Sequence, residues 1–120
     1  LFEKNNIKVN VAVDLVELNM SKFLADILLN NLFSNAVRHN INGGKIGIYL
    51  GKEKLTISNT GKEINLDGML FERFSKSATS DGMGLGLAIT KQICNLYRFE
   101  LTHSYIESEH HFSINFNLNR

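Results

Sequence analysis

Two groups of residues in this chain have the types and spacing to hold a polar, anionic guest. The first is Gly82-Met83-Gly84-Leu85-Gly86-Leu87, with three glycines in five residues, which runs directly into Ala88-Ile89-Thr90-Lys91-Gln92-Ile93-Cys94-Asn95-Leu96-Tyr97. The stretch from Leu87 reads as an apolar helix with Leu87, Ile89, Ile93, Leu96 and Tyr97 on its buried side. A glycine inside a helix costs about 1 kcal/mol relative to alanine, so alternate glycines at a helix start need a reason. Close approach of backbone N–H groups to a phosphate at the helix N-terminus is one. A flexible loop or a glycine-mediated helix contact is another.

The second group lies on a helix predicted from about Lys22 to His39, with Ser21 as its N-cap. At i, i+4 and i+7, Asn31, Asn35 and Arg38 share one side, roughly opposite Leu29, Phe33 and Ala36. Asparagine is a poor residue for a helix interior because its amide competes for backbone hydrogen bonds. Two of them stacked on an otherwise apolar helix suit ligands for a polar guest. An amide oxygen is a hard donor of the kind Mg²⁺ takes together with phosphate oxygens. A solvent-facing polar edge is the other reading, and it is the one that suits Asn30 and Asn40.

Composition narrows the setting. A chain of 120 residues with 43% hydrophobic content suits one domain with one core, here residues 1–120. A net charge of +1 gives no field that would mark a nucleic-acid binder. The single cysteine, Cys94, falls on the apolar helix and reads as a small core residue in a reducing, cytoplasmic compartment. No apolar run reaches the roughly 18 residues of a membrane span.

The elements that must position the two groups follow in order. Ile7, Val9, Val11 and Val13 alternate with polar or small residues, as in a half-buried strand. After the first helix, Asn42-Gly43-Gly44 is turn chemistry. Ile46, Ile48 and Leu50, then Lys54 to Ser58 across the Gly51-Lys52-Glu53 turn, make an antiparallel hairpin. From Asn59 to Asp81 the pattern breaks down into a polar segment with a short helix around Asp67 to Phe74, a lid of about residues 60–82. Phe99, Leu101 and Tyr105 suggest a strand beyond the second helix. Glu107-Ser108-Glu109 is a turn, and Phe112, Ile114, Phe116 and Leu118 alternate as the last strand. This order predicts an α/β two-layer sandwich, a mixed and mostly antiparallel sheet of about five strands on two long helices plus the short lid helix.

Four segments now carry a resemblance. Asn31-Leu32-Phe33-Ser34-Asn35-Ala36-Val37-Arg38-His39 resembles the N box of sensor histidine kinases, and Gly82-Met83-Gly84-Leu85-Gly86-Leu87 resembles their second glycine box. Phe71-Glu72-Arg73-Phe74 is similar to the F box, and Ile57-Ser58-Asn59-Thr60-Gly61 stands where the first glycine box belongs. The motifs keep the family's order and span most of the chain. The resemblance implies the Bergerat ATP-binding fold and the catalytic, ATP-binding domain of a two-component sensor kinase. It implies ATP and Mg²⁺ as cofactors, with Asn35, helped by Asn31, on the metal. Arg38 and His39 would lie near the phosphates. Gly82, Gly84, Leu85 and Gly86 would cradle them by backbone, and Arg73 or Lys76 would reach them from the lid. Phe71 and Phe74 would anchor the lid.

The first glycine box departs from the family pattern. Its usual aspartate, which accepts a hydrogen bond from the adenine amino group, is Asn59, and beyond Gly61 its second glycine is replaced by Glu63. An amide oxygen can still accept that bond, without charge assistance. The resemblance also implies a partner, the helical dimerisation domain that bears the phosphoacceptor histidine, with a response regulator acting through it. His39, His103, His110 and His111 are the only histidines. None lies in a sequence like the phosphorylated helix, and His103, His110 and His111 read as surface or edge residues. The isolated domain is expected to be a monomer on the cytoplasmic side of a membrane-anchored receptor. Two alternatives remain: a non-catalytic signalling module that docks a helical partner, motivated by Asn59 and Glu63, and an ATPase or serine kinase of the same fold.

Overall fold

Alternating side chains set the strands, and the two helical stretches cover one face of the sheet they make. The computed structural model describes residues 6–63 and 83–117. The elements are β1 (Lys8–Val13), α1 (Lys22–Arg38), β2 (Lys45–Leu50), β3 (Lys54–Thr60), α2 (Met83–Tyr97), β4 (Glu100–Ile106) and β5 (Glu109–Asn115). They form one five-stranded sheet in the order β1-β2-β3-β5-β4. Only β1 and β2 pair in parallel, joined through α1 as a parallel crossover requires. The other three pairings are antiparallel. The order and type of elements match the expected sandwich, apart from the short lid helix, which lies outside the described residues.

The register stacks three layers on the helix-facing side of the sheet. Leu50, Leu55, Ile114 and Leu101 lie side by side at one end, and Ile48, Ile57, Phe112 and His103 in the middle. At the other end the same row is Ile46, Asn59, His110 and Tyr105. The inner face thus passes from apolar to polar along its length. Leu28, Leu32 and Ala36 of α1 and Leu87, Ile93 and Cys94 of α2 close the core over the apolar part. Phe99 stacks on Tyr97 and meets Phe116 edge-on, which seals that end.

Ser21 caps α1 as expected, its hydroxyl accepting from the Leu24 N–H at 3.3 Å. The Ser21 N–H donates to the Tyr97 hydroxyl at 2.9 Å, tying the start of α1 to the end of α2. The two helices therefore run in opposite directions, with the start of α2 beside the C-terminal half of α1.

The structure corrects several expectations about burial. β1 is exposed along its whole length, with Val9, Val11 and Val13 at 43, 57 and 57%. Its valines share the inner face with Ile46, Ile48 and Leu50, but β1 is the edge strand, and the helices pack over β3 and β4. Leu96 is 65% exposed, because at 100° per residue it points away from the line of Leu87, Thr90 and Cys94. Thr90 and Cys94 are fully buried in its stead. Burial pushes the Cys94 thiol up to about 11, so it is an inert core residue. Asn40 is buried rather than a solvent-facing edge residue. It closes the α1–β2 turn by donating to the Lys45 carbonyl at 3.0 Å and accepting from the Ile41 N–H at 2.8 Å.

α2 ends in a Schellman motif. The Phe99 N–H donates to the Cys94 carbonyl at 2.8 Å and the Arg98 N–H to the Asn95 carbonyl at 3.1 Å. Arg98 occupies the left-handed position at φ 61°, where glycine is favoured. Arg98→Gly should stabilise the chain by about 1 kcal/mol, raising the melting temperature by a few degrees. Thermal denaturation of the two proteins checks this.

Candidate functional site

The polar end of the inner face, the C-terminal half of α1 and the first turn of α2 converge on one region. Asn35 is 6% exposed, and its amide oxygen is buried with no hydrogen-bond partner among the described residues. Asn31, one turn earlier, is half-buried, and its amide nitrogen also lacks a partner among the described residues. A buried polar atom without a partner costs about 1–3 kcal/mol, so such atoms persist where a guest satisfies them. Arg38 is exposed in the last turn of α1, and His39 is the half-buried C-cap.

α2 begins at Met83, four residues earlier than the sequence suggests. Gly84, Leu85 and Gly86 therefore form its first turn instead of a loop before it. Glycine costs less there than in a helix interior, because the backbone of a first turn is held by fewer ladder hydrogen bonds. A Cβ at Gly86 would sit 3.8 Å from the carboxamide of Asn31, which places the first turn of α2 against the asparagine stripe. Thr90 fixes this turn by donating its hydroxyl to the Gly86 carbonyl at 2.9 Å. The free N–H groups of a helix start, with the positive end of its dipole, suit a phosphate. Arg73, Lys76 and Gly82, with the F box, lie outside the described residues.

The third component is the end of β3. Asn59 is 2% exposed, and its amide nitrogen donates to the Thr60 carbonyl at 2.9 Å. That bond orients the amide and leaves its oxygen as an acceptor. Gly61 follows at a tight crossing. A Cβ there would lie 2.7 Å from the His39 carbonyl oxygen and 3.3 Å from both the Asn59 amide nitrogen and the His110 ring. The end of α1 and the end of β3 meet at this glycine.

Sequence reasoning missed the residues that support this corner. His110 is a surface or edge residue in that reading, yet it is 2% exposed. Its Nε2 donates to the Lys62 carbonyl at 2.7 Å, which makes Nδ1 the acceptor for His103 Nε2–H at 2.9 Å. Tyr105 donates its hydroxyl to the Gly61 carbonyl at 2.9 Å. The signal was present in β5: His110 stands two residues before Phe112 and so shares the inner face with Phe112 and Ile114. His111 faces outward with Glu109, 3.7 Å away, and Glu109 also pairs with Lys45 at 3.5 Å. Such exposed pairs contribute little.

Burial, then repulsion from His110 and His111, lowers the His103 pKa from the ordinary 6.5 to about 4. The unfolded chain therefore takes up a proton at His103 before the folded chain does. This contribution to stability is complete above about pH 6.5, falls as the pH drops and is gone below about pH 4. His103→Gln, which keeps a donor toward His110, should flatten the change in melting temperature between pH 7 and pH 4. Melting curves across that range check it.

An α/β sandwich with a glycine-started helix and an asparagine stripe around a polar end is the Bergerat type of nucleotide-binding domain. The comparisons with known proteins agree. The model of the histidine kinase-, DNA gyrase B- and HSP90-like ATPase family matches residues 22–119, and this chain belongs to that family. It is 31% identical over 97 residues to the heme sensor protein HssS of Staphylococcus saprophyticus, covering 75% of this chain and 21% of that protein. The HssS protein of Staphylococcus aureus strain Newman is 43% identical over 76 residues, covering 58% of this chain and 17% of the relative. The chain thus spans about a fifth of the length of these relatives. Among solved structures, a mycobacterial sensor histidine kinase, MprB, superposes with a TM-score of 0.77 at 25% identity, covering 92% of this chain and 84% of that one. The catalytic domain of the histidine kinase ThkA gives 0.77 at 25% identity, covering 92% and 78%. The chain is thus a domain of the histidine kinase-like ATPase family, and the solved structures it superposes on are those of histidine kinases. No helix among the described residues is long and apolar enough to cross a membrane.

Proposed function

We propose that this domain binds Mg·ATP at the polar end of the sandwich and presents its γ-phosphate to a histidine on a helical dimerisation domain. The observation that carries this reading is the buried amide oxygen of Asn35, without a partner among the described residues, one turn along α1 from the Asn31 that lies against Gly86 in the first turn of α2. An oxygen donor of this kind fits a hard divalent cation, and Asn31 stands next to it. When bound, Mg²⁺ supplies charge neutralisation on the phosphates. The residues do the rest by positioning. The N–H groups of Gly84, Leu85 and Gly86 bind phosphate oxygens, with Gly82, Arg73 and Lys76 assigned to the same task. Arg38 and His39 border the phosphate end, and Asn59 with Gly61 receives the base.

Phosphoryl transfer needs an acceptor that this chain does not provide. His110 is buried, His103 and His111 sit in strands, and His39 ends α1. The acceptor therefore belongs to the dimerisation domain of the same kinase, with a response regulator downstream and this domain facing the cytoplasm from a membrane-anchored receptor. Labelled ATP should leave no phosphohistidine on the chain alone and label the dimerisation domain when the two are mixed. Rapid self-labelling of the isolated chain would contradict the assignment.

A further inference from the structure

Three successive carbonyls, of the last residue of β3 and the two beyond it, are each held by a different side chain. The Thr60 carbonyl accepts from Asn59, the Gly61 carbonyl from Tyr105 and the Lys62 carbonyl from His110. His110 is braced from behind by His103, and the Tyr105 ring lies 4.6 Å from its own, centroid to centroid. The arrangement has a consequence for Asn59. A carboxylate at this position could only accept a hydrogen bond, but an amide can present either its oxygen or its nitrogen. Only the bond to the Thr60 carbonyl commits the nitrogen and leaves the oxygen available. Thr60 ends the β3 ladder opposite Glu109, the Gly61 N–H donates to the Ser108 carbonyl at 3.1 Å, and the two carbonyls that follow are pinned by Tyr105 and His110.

We propose that His110, with Tyr105, is a specificity-determining positioning residue: it locks the Asn59 amide so that the pocket accepts a purine bearing an exocyclic amino group and rejects one bearing a carbonyl there. The inference rests on the nucleotide reading of the site given above. A 6-amino purine donates to the Asn59 oxygen. A 6-oxo purine would set a carbonyl against that oxygen, and the nitrogen that could answer it is turned toward the Thr60 carbonyl. Loss of His110 frees the Lys62 carbonyl, loosens Gly61 and Thr60, and lets the amide turn over to serve either base.

The test is calorimetric titration of the 120-residue chain with ATP, GTP and inorganic tripolyphosphate, all with Mg²⁺. The proteins are wild type, His110→Ala, His110→Gln and Tyr105→Phe, plus His110→Ala combined with Asn59→Asp and Asn59→Asp alone. His110→Ala should lower the ATP-to-GTP affinity ratio about tenfold, the scale of one misplaced hydrogen bond, while tripolyphosphate binding holds. His110→Gln, which carries one donor and one acceptor at its tip, should retain the ratio. In the Asn59→Asp background the His110 substitution should leave the ratio unchanged, because a carboxylate has no second end to present. If His110→Ala does not fold, Tyr105→Phe replaces it, with a smaller fall in the ratio expected. A wild-type chain that prefers ATP, with a ratio untouched by these substitutions or falling equally in both backgrounds, overturns the proposal alone. A wild-type chain that binds no ATP overturns the nucleotide reading and the proposal with it.

Discussion

Asn35→Ala should make the domain more stable and unable to bind ATP in the way it does with Mg²⁺. The two effects share one cause. The Asn35 amide oxygen is buried without a partner among the described residues, and an unsatisfied buried acceptor costs about 1–3 kcal/mol. Removing it, while placing the best helix former in the last turn of α1, should stabilise the ligand-free chain by about 1 kcal/mol. The melting temperature then rises by roughly 2–5 °C. Mg²⁺-dependent ATP affinity should fall by at least about tenfold, as expected on losing one contact to a charged group. A stability gain coupled to a binding loss is the mark of a residue kept for its ligand. A fall in both, measured by melting curves and titration, would mean that Asn35 is structural.

Gly61→Ala should behave in the opposite way, losing stability and binding together. The new Cβ would meet the His39 carbonyl oxygen at 2.7 Å. That atom belongs to the end of α1 and cannot swing aside as a side-chain tip does. Either α1 or the end of β3 must shift, at a cost of about 1–3 kcal/mol. The expected fall in melting temperature is roughly 3–10 °C. Because the same shift moves Asn59 and the His110 ring, each 3.3 Å from that Cβ, ATP should lose several-fold more affinity than tripolyphosphate. Equal losses for the two ligands would place the base elsewhere.

Periodicity carried most of the fold. Period-two alternation located β2, β3 and β5, and Ser21 with the apolar spacing located α1, because these patterns depend only on the local chain. Burial along β1 was not legible, since Val9, Val11 and Val13 look like any half-buried strand until the topology puts them at an edge. The true start of α2 was hidden because glycines read as loop, although a helix's first turn loses little by holding them. Its end was hidden too, because Arg98 stands where a glycine would have marked the stop. In the candidate site, Asn31 and Asn35 stood out by their helical spacing, and Asn59 and Gly61 by the resemblance of their segment to a glycine box. His110 and Tyr105 were not, because their role is to hold carbonyls more than forty residues away, and nothing local records such a partnership.

The central claim is that the polar end of this sandwich is a Mg·ATP site. Calorimetric titration of the chain with ATP, with Mg²⁺ and then with the metal chelated, tests it most directly. Saturable binding at one site that weakens at least about tenfold without Mg²⁺ is the expected result. A folded chain that takes up no ATP under either condition would contradict it and favour a domain that signals by docking a helical partner.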